Sequence, residues 1–289
     1  MTGANKGIGL ATVSATLEHH RNVSVILGAR DPDRGREAVD SLCRVQPDWR
    51  SRLDFLPVDV SSERSVAAAR DAVTARYGSE PAPLYGLVNN AGIGLGSGDI
   101  ESVMDVNFFG VKRMCDAFIP LIEHAGRIVN VASASGPNFV SQCSPQRQAF
   151  FRDAGIEWSA LESFIKDALT LRGDSQDAGG LGLGRISAYG FSKACLNLYT
   201  LLLARENPHL CINSCTPGYI ETDLTRPDAE YRGVAPAELG MKQPVHGTVP
   251  ILFLLFGKPQ GSGDYYGSDA KRSPLDRYRA PGDPEYKGG

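Results

Sequence analysis

Short runs of apolar and β-branched residues alternate along the chain with stretches whose apolar positions recur at helical spacing. That alternation predicts a parallel sheet covered by helices. The expected strands lie at 23–27, 53–58, 84–89, 127–132 and 211–216, with a shorter one at 265–266. Each is apolar along its length, as strands buried on both faces should be. Helices are expected near 8–20, 33–46, 63–76, 101–124, 190–206 and 236–256. The fourth should break near Pro120, whose ring cannot continue a helix. The resulting class is α/β: a doubly wound parallel sheet in a three-layer α/β/α arrangement.

Two stretches depart from this alternation. Residues 137–186 form an insert before the helix at 190, too long for a simple loop. Within it Ser159 and Glu162 have capping-box spacing, and Leu161, Phe164, Ile165, Ala168 and Leu169 follow at helical intervals. A glycine-rich piece at 173–184 is expected to return the chain to the domain. The tail, 273–289, is rich in proline, glycine and charge, and is expected to be loosely held against a single domain at 1–272.

Composition narrows the partners. The 289 residues are 42% apolar and 22% charged, ordinary for a globular chain, and a net charge of −3 gives no reason to expect nucleic acid or an anionic membrane. The longest apolar run, 251–256, is six residues, far short of a membrane span, and no apolar core of a signal peptide opens the chain. Cys43, Cys115, Cys143, Cys195, Cys211 and Cys215 are scattered, without a C-x-x-C pair or a second cluster of ligands, so no metal site is expected. Free thiols fit a reducing compartment, and the expectation is cytoplasmic; organellar import would need a segment upstream of Met1.

Thr2-Gly3-Ala4-Asn5-Lys6-Gly7-Ile8-Gly9 precedes the first helix. Such a glycine-rich loop lets backbone approach a pyrophosphate, and the helix start offers free N–H groups and a positive dipole end. After the strand expected at 23–27 come Gly28, Ala29 and Arg30, with Arg34 further on; a carboxylate there would suit the ribose of NAD, whereas arginines suit the 2′-phosphate of NADP(H). Lys6 is a further phosphate partner, and Asp31 is expected to open the next helix. A dinucleotide loop ordinarily follows a buried strand of about five or six residues. Only Met1 stands before Thr2, so the first, central strand is expected to be missing, as in a truncated chain.

Taken in order, these motifs resemble the short-chain dehydrogenase/reductase family over nearly the whole chain. Thr2–Gly9 resembles its T-G-x-x-x-G-x-G loop, Asp59-Val60 its adenine-facing pair, and Asn89-Asn90-Ala91-Gly92 its N-N-A-G motif. Asn107 resembles the active-site asparagine, Ser133 the catalytic serine, Tyr189 and Lys193 the Y-x-x-x-K pair, and Pro217-Gly218 through Ile220 to Thr222 the P-G-x-x-x-T segment beside the nicotinamide. Asn-Lys in the loop, Ala-Arg-Asp after the second strand and the long insert look most like the monomeric NADPH-dependent carbonyl reductases and their plant relatives. In that branch the extra helix covers the surface other members use to dimerise. Phe150, Phe151, Trp158, Leu161 and Phe164 could supply the cover here, or could form a lid over a substrate cleft. Ala132 replaces the first of the usual serine pair, and Ser135 is a rival for the role of Ser133.

The resemblance implies reduction of a small-molecule carbonyl, with Tyr189 as proton donor, Ser133 polarising the oxygen and Lys193 lowering the phenol's pKa. It also implies that Asn107 holds a water linking Lys193 to solvent. Two other readings remain open: a non-catalytic dinucleotide-binding relative, and an NAD-linked alcohol dehydrogenase sharing the same residues. Neither the insert, the stretch 219–230 nor Tyr219 and Glu221 within it names a substrate.

Overall fold

The computed structural model describes residues 1–94, 99–170, 178–184 and 187–288. In chain order the elements are α1 (Gly7–His19), β1 (Val25–Ala29), α2 (Pro32–Val45), β2 (Leu53–Pro57), α3 (Glu63–Tyr77) and β3 (Leu84–Asn89). Then come α4 (Ile100–Met104), a π-helical turn (Asp105–Phe109), α5 (Gly110–Phe118), β4 (Ile122–Val131) and three helices of the insert, α6 (Ser135–Val140), α7 (Pro145–Phe150) and α8 (Trp158–Leu169). The chain ends with α9 (Ala188–Glu206), β5 (Cys211–Cys215), α10 (Arg226–Arg232), α11 (Thr248–Phe256), β6 (Tyr265–Tyr266) and β7 (Arg272–Ser273).

β1 pairs in parallel with β2, while β3, β4, β5 and β6 form a second parallel set that β7 closes antiparallel. No direct ladder joins β1 to β3. Met1 and Thr2 lie between them: the Met1 amine donates to the Ile26 carbonyl, the Gly28 N–H donates to Met1, and the Thr2 N–H donates to Val88, at 2.9, 2.8 and 3.0 Å. Beyond these two residues a cavity of about 450 Å³ separates the strands, lined among others by Thr16, Ile26, Val73, Leu87, Met114 and Phe118. Met1 and Thr2 therefore bridge the sheet's halves through backbone bonds, and they continue directly into the glycine-rich loop.

Hydrophobic burial explains the rest. Ile128 and Val129 of β4 and Ile212 of β5 have no exposed surface, and α9 presents Phe191, Cys195, Leu196 and Leu198 to the same core, all likewise fully covered. α8 adds Leu161, Phe164, Ile165 and Ala168, the face its spacing predicted. The capping box did not form. α8 starts at Trp158 with Glu157 at its N-cap and no side-chain cap, which places Ser159 inside the first turn. Trp158 instead stacks on Phe108, meets Tyr199 edge-on and receives the Lys112 ammonium over its ring at 4.7 Å. Of the glycine-rich return, 173–177 lie outside the described residues, as do 185 and 186.

Three expectations need correction. The helix near 236–256 is two 3₁₀ turns followed by α11, because Pro236 and Pro244 each begin a new turn. The strand at 23–27 is shifted to Val25–Ala29. The tail after Ser273 is tied down. The Arg279 guanidinium, 9% exposed, pairs with Asp269 and donates to the Ser273 hydroxyl and the Asp283 carbonyl, and Tyr286 N–H donates to Arg272. A single buried arginine can order a polar tail that composition alone marks as loose.

Candidate active site

At the C-terminal edge of the sheet the glycine-rich loop folds against the segment after β3. Gly3 and Gly7 have φ of +61° and +55°, a region side chains avoid. A Cβ on Gly3 would lie 2.8 Å from Ala91 Cα, and one on Gly9 would lie 2.6 Å from the Gly3 carbonyl oxygen, so glycine is required for close approach. The Thr2 hydroxyl accepts from the Asn90 and Ala91 N–H groups, while the Asn90 amide donates to the Thr2 and Gly3 carbonyls at 3.0 Å each. Asn90, quoted in the N-N-A-G motif without a role, is thus a positioning residue of the loop. With Asn5, Lys6 and Ile8 around it, the loop leaves the first turn of α1 facing the cleft, its N-cap unmet by any side chain. That arrangement suits a pyrophosphate.

Arg30 and Arg34 follow β1, both exposed. Asp31 caps α2 by accepting from the Asp33 and Arg34 N–H groups, as expected, and those bonds hold its carboxyl below the usual range. Asp59 is similarly engaged with the Ser61 N–H and hydroxyl, and Val60 is buried against Gly110. Asn89 does not face the cleft: its amide donates to Asn130 and to Cys115 Sγ inside the core. Gly92 borders the site, since a Cβ there would stand 3.2 Å from Asn107 Oδ1 and 3.7 Å from Lys193 Nζ.

Those two side chains come from different helices. Asn107 sits on the π-helical turn, a local widening that often marks a functional position. It is fully buried, and its amide is spent on a clamp: Oδ1 accepts from the Ile93 N–H, and Nδ2 donates to the Ile93 carbonyl and the Ser192 hydroxyl, at 2.9, 2.9 and 3.2 Å. Ser192, which sequence reading missed, also donates to the Tyr189 carbonyl and so joins Asn107 to α9. With both amide protons committed, Asn107 reads as the residue that fixes the cleft wall.

The Ser187 hydroxyl caps α9 and sets Tyr189 and Lys193 on its first two turns, one above the other. Lys193 is 4% exposed; its ammonium donates to the Val131 carbonyl at 2.9 Å and lies 5.6 Å from the centre of the Tyr189 ring. Burial drives its pKa down to about 8. Tyr189, half-buried, is pushed above the ordinary phenol value by desolvation, and a hydrogen bond with Ser133 opposes that push. The expected lowering of the phenol's pKa by Lys193 is therefore not what this arrangement gives: desolvation is the largest influence on the phenol. Ser133, at the end of β4, is the serine that meets Tyr189; Ser135 instead starts α6 and contacts the Ser133 oxygen through its own N–H at 3.1 Å.

The fourth wall is the 217–225 loop. Pro217 is buried, Gly218 takes φ +93°, and Ile220, 2% exposed, anchors the loop through a bridge to Lys242. Thr222 packs over Gly7, its Cγ2 3.2 Å from where a Cβ would stand, so loop and phosphate-binding turn meet directly. Tyr219 donates to Asp228 and Glu221 pairs with Arg226, so both face α10. A glycine cradle at a helix start, with Ser133 after β4 and the Tyr189–Lys193 pair at the start of α9, forms a dinucleotide cleft with acid–base groups beside it.

Comparison with known proteins agrees with that geometry. The family model described as short chain dehydrogenase matches residues 1–145. Carbonyl reductase 1 (NADPH) of Homo sapiens is 32% identical over 282 residues, covering 92% of each chain, and that of Rattus norvegicus is 33% identical over 95% of this chain and 96% of its own. Among solved structures, salutaridine reductase from Papaver somniferum superposes with a TM-score of 0.73 at 23% identity, covering 92% of this chain and 97% of its own. An NADPH-bound carbonyl reductase from chicken fatty liver gives 0.66 at 22%, over 94% and 96%. The similarity to the curated relatives runs along almost the full length, and the chain belongs to the short chain dehydrogenase family.

Proposed function

We propose that this chain reduces a small carbonyl compound, an aldehyde, ketone or quinone, to the alcohol with NADPH. The observation that carries the reading is the convergence of Tyr189, Ser133 and Lys193 at one edge of the glycine-rich cleft. The names of its full-length relatives support the same reaction.

The cleft fits the cofactor: a side chain on Gly3 or Gly9 would fill the space where backbone meets backbone, and the α1 start is uncapped. Gly3, Asn5, Lys6, Gly7, Ile8 and Gly9 would hold the pyrophosphate. Arg30, Arg34 and Lys6 would hold the 2′-phosphate, Asp59 and Val60 the adenine. Ala91, Gly92, Pro217, Gly218, Ile220 and Thr222 would line the nicotinamide side. When bound, the cofactor supplies the hydride. Tyr189 donates its proton to the oxygen that becomes the alkoxide, and a phenol held protonated by burial is ready for that role at neutral pH. The Ser133 hydroxyl donates to the same oxygen and stabilises the developing charge. Lys193 supplies positive charge beside the phenol and orients the ribose, while Asn107 and Ser192 hold α9 in register with the cleft wall.

Arg30→Ala should raise the KM for NADPH about tenfold and leave that for NADH within twofold, the scale of one charge-assisted hydrogen bond. Steady-state kinetics with both cofactors measures this, and equal effects would remove Arg30 from the 2′-phosphate site.

The monomeric state rests on the packing of α8 over Phe108 and Tyr199, which covers an aromatic helix face within one chain. Sedimentation equilibrium should return the single-chain mass of 31.0 kDa, and a stable dimer would contradict the reading. No helix among the described residues is long and apolar enough to cross a membrane, and all six cysteines are free, five of them buried. Those thiols support a cytoplasmic protein.

A further inference from the structure

The phosphate-binding loop and the 217–225 loop are tied by one ion pair. Lys6 Nζ donates to Asp223 Oδ2 at 2.8 Å across 217 positions of sequence. Asp223 follows Thr222, the residue packed over Gly7, in a turn fixed by the Thr225 hydroxyl, which contacts the Thr222 N–H at 3.0 Å. Its second oxygen accepts from Arg226 at 3.1 Å. Arg34 on α2 also acts on it through its charge: Lys6 first, then Arg226 and Arg34, hold the carboxyl below its usual range. Two of the three cations assigned to the 2′-phosphate of NADPH therefore already act on one carboxylate of the chain.

We propose that Asp223 is a cofactor-selectivity residue, an internal anion that occupies Lys6 in place of the 2′-phosphate and narrows the preference for NADPH over NADH. The inference rests on the reading of Lys6 as a phosphate partner. Lys6 and Asp223 are each 58% exposed on their side chains, so the pair is weak enough to exchange with a doubly charged phosphate. NADH brings no such phosphate and has nothing to gain from freeing Lys6.

Binding alone tests this, by titrating wild type, Asp223→Asn, Lys6→Met and the double variant with NADPH, NADH, 2′,5′-ADP and 5′-AMP. Asp223→Asn should bind NADPH and 2′,5′-ADP about three- to fivefold more tightly, the scale of a freed surface cation. NADH and 5′-AMP should stay within twofold, and the gain should vanish in the Lys6→Met background. Equal tightening of NADPH and NADH would mean that Asp223 merely latches the 217–225 loop to the glycine-rich loop, and would overturn the proposal. Unchanged or weaker NADPH binding would overturn it as well. If wild type binds NADPH and only the Asp223 effect is missing, the selectivity role falls alone; if wild type binds neither dinucleotide, the functional reading falls and takes the proposal with it.

Discussion

Tyr189→Phe should cut the turnover of carbonyl reduction about a thousandfold while leaving the dissociation constant of NADPH within about threefold. General acid catalysis by a positioned side chain commonly contributes 10²–10⁴, and here the lost group is the phenol hydroxyl that bonds with Ser133. The phenyl ring keeps its packing at the start of α9, and the Ser187 cap and Lys193 contact to Val131 do not involve the hydroxyl. Loss of rate without loss of binding is the signature of a group that acts in the transition state. Stopped-flow or steady-state NADPH oxidation, paired with fluorescence titration of NADPH, separates the two quantities.

Lys193→Met should have opposite effects on activity and stability. Turnover should fall about a hundredfold or more, because the positive charge beside the phenol is gone. The folded chain should nonetheless become more stable at pH 7. Burial lowers the lysine from its ordinary 10.5 to about 8, a shift worth roughly 3 kcal/mol of destabilisation when the group is charged. Methionine keeps the apolar stem, and only the bond to the Val131 carbonyl is lost, at a cost of about 1 kcal/mol. Between pH 8 and 10.5 the unfolded wild-type chain holds this proton and the folded chain does not, so its stability rises with pH across that window. The advantage of Lys193→Met should therefore be greatest below pH 8 and fade toward pH 10.5. Denaturant titrations at pH 7 and pH 10 test this, and a variant less stable than wild type at pH 7 would show that the lysine is a stabilising element rather than a functional cost.

The motifs that name the site were legible because the chemistry needs particular residue types at fixed spacing. Gly3 and Gly9 stand where backbone touches backbone, and Tyr189 and Lys193 are one helical turn apart. The supports of those residues were harder to see. Asn90 and Ser192 act through bonds to carbonyls and amides that only the fold brings near, and asparagine or serine in isolation carries no signal. The direction of the Tyr189 shift was also hidden, because it depends on how dry the cleft is rather than on which cation lies four residues away. Strand positions followed from apolar runs, but the tail is held in part by Arg279 meeting Asp269, a pairing no local pattern announces. Lys6 was read as a phosphate partner, and the Asp223 carboxylate on it could be found only in three dimensions.

The most direct test follows NADPH oxidation by wild type and Tyr189→Phe over a panel of aldehydes, ketones and quinones, with the alcohol product quantified. Wild type should consume one NADPH per alcohol formed on at least one class of carbonyl, and Tyr189→Phe should be silent on the same compound while still binding NADPH. Wild-type chain that binds NADPH yet turns over none of the panel, or a Tyr189→Phe variant as active as wild type, would contradict the assignment.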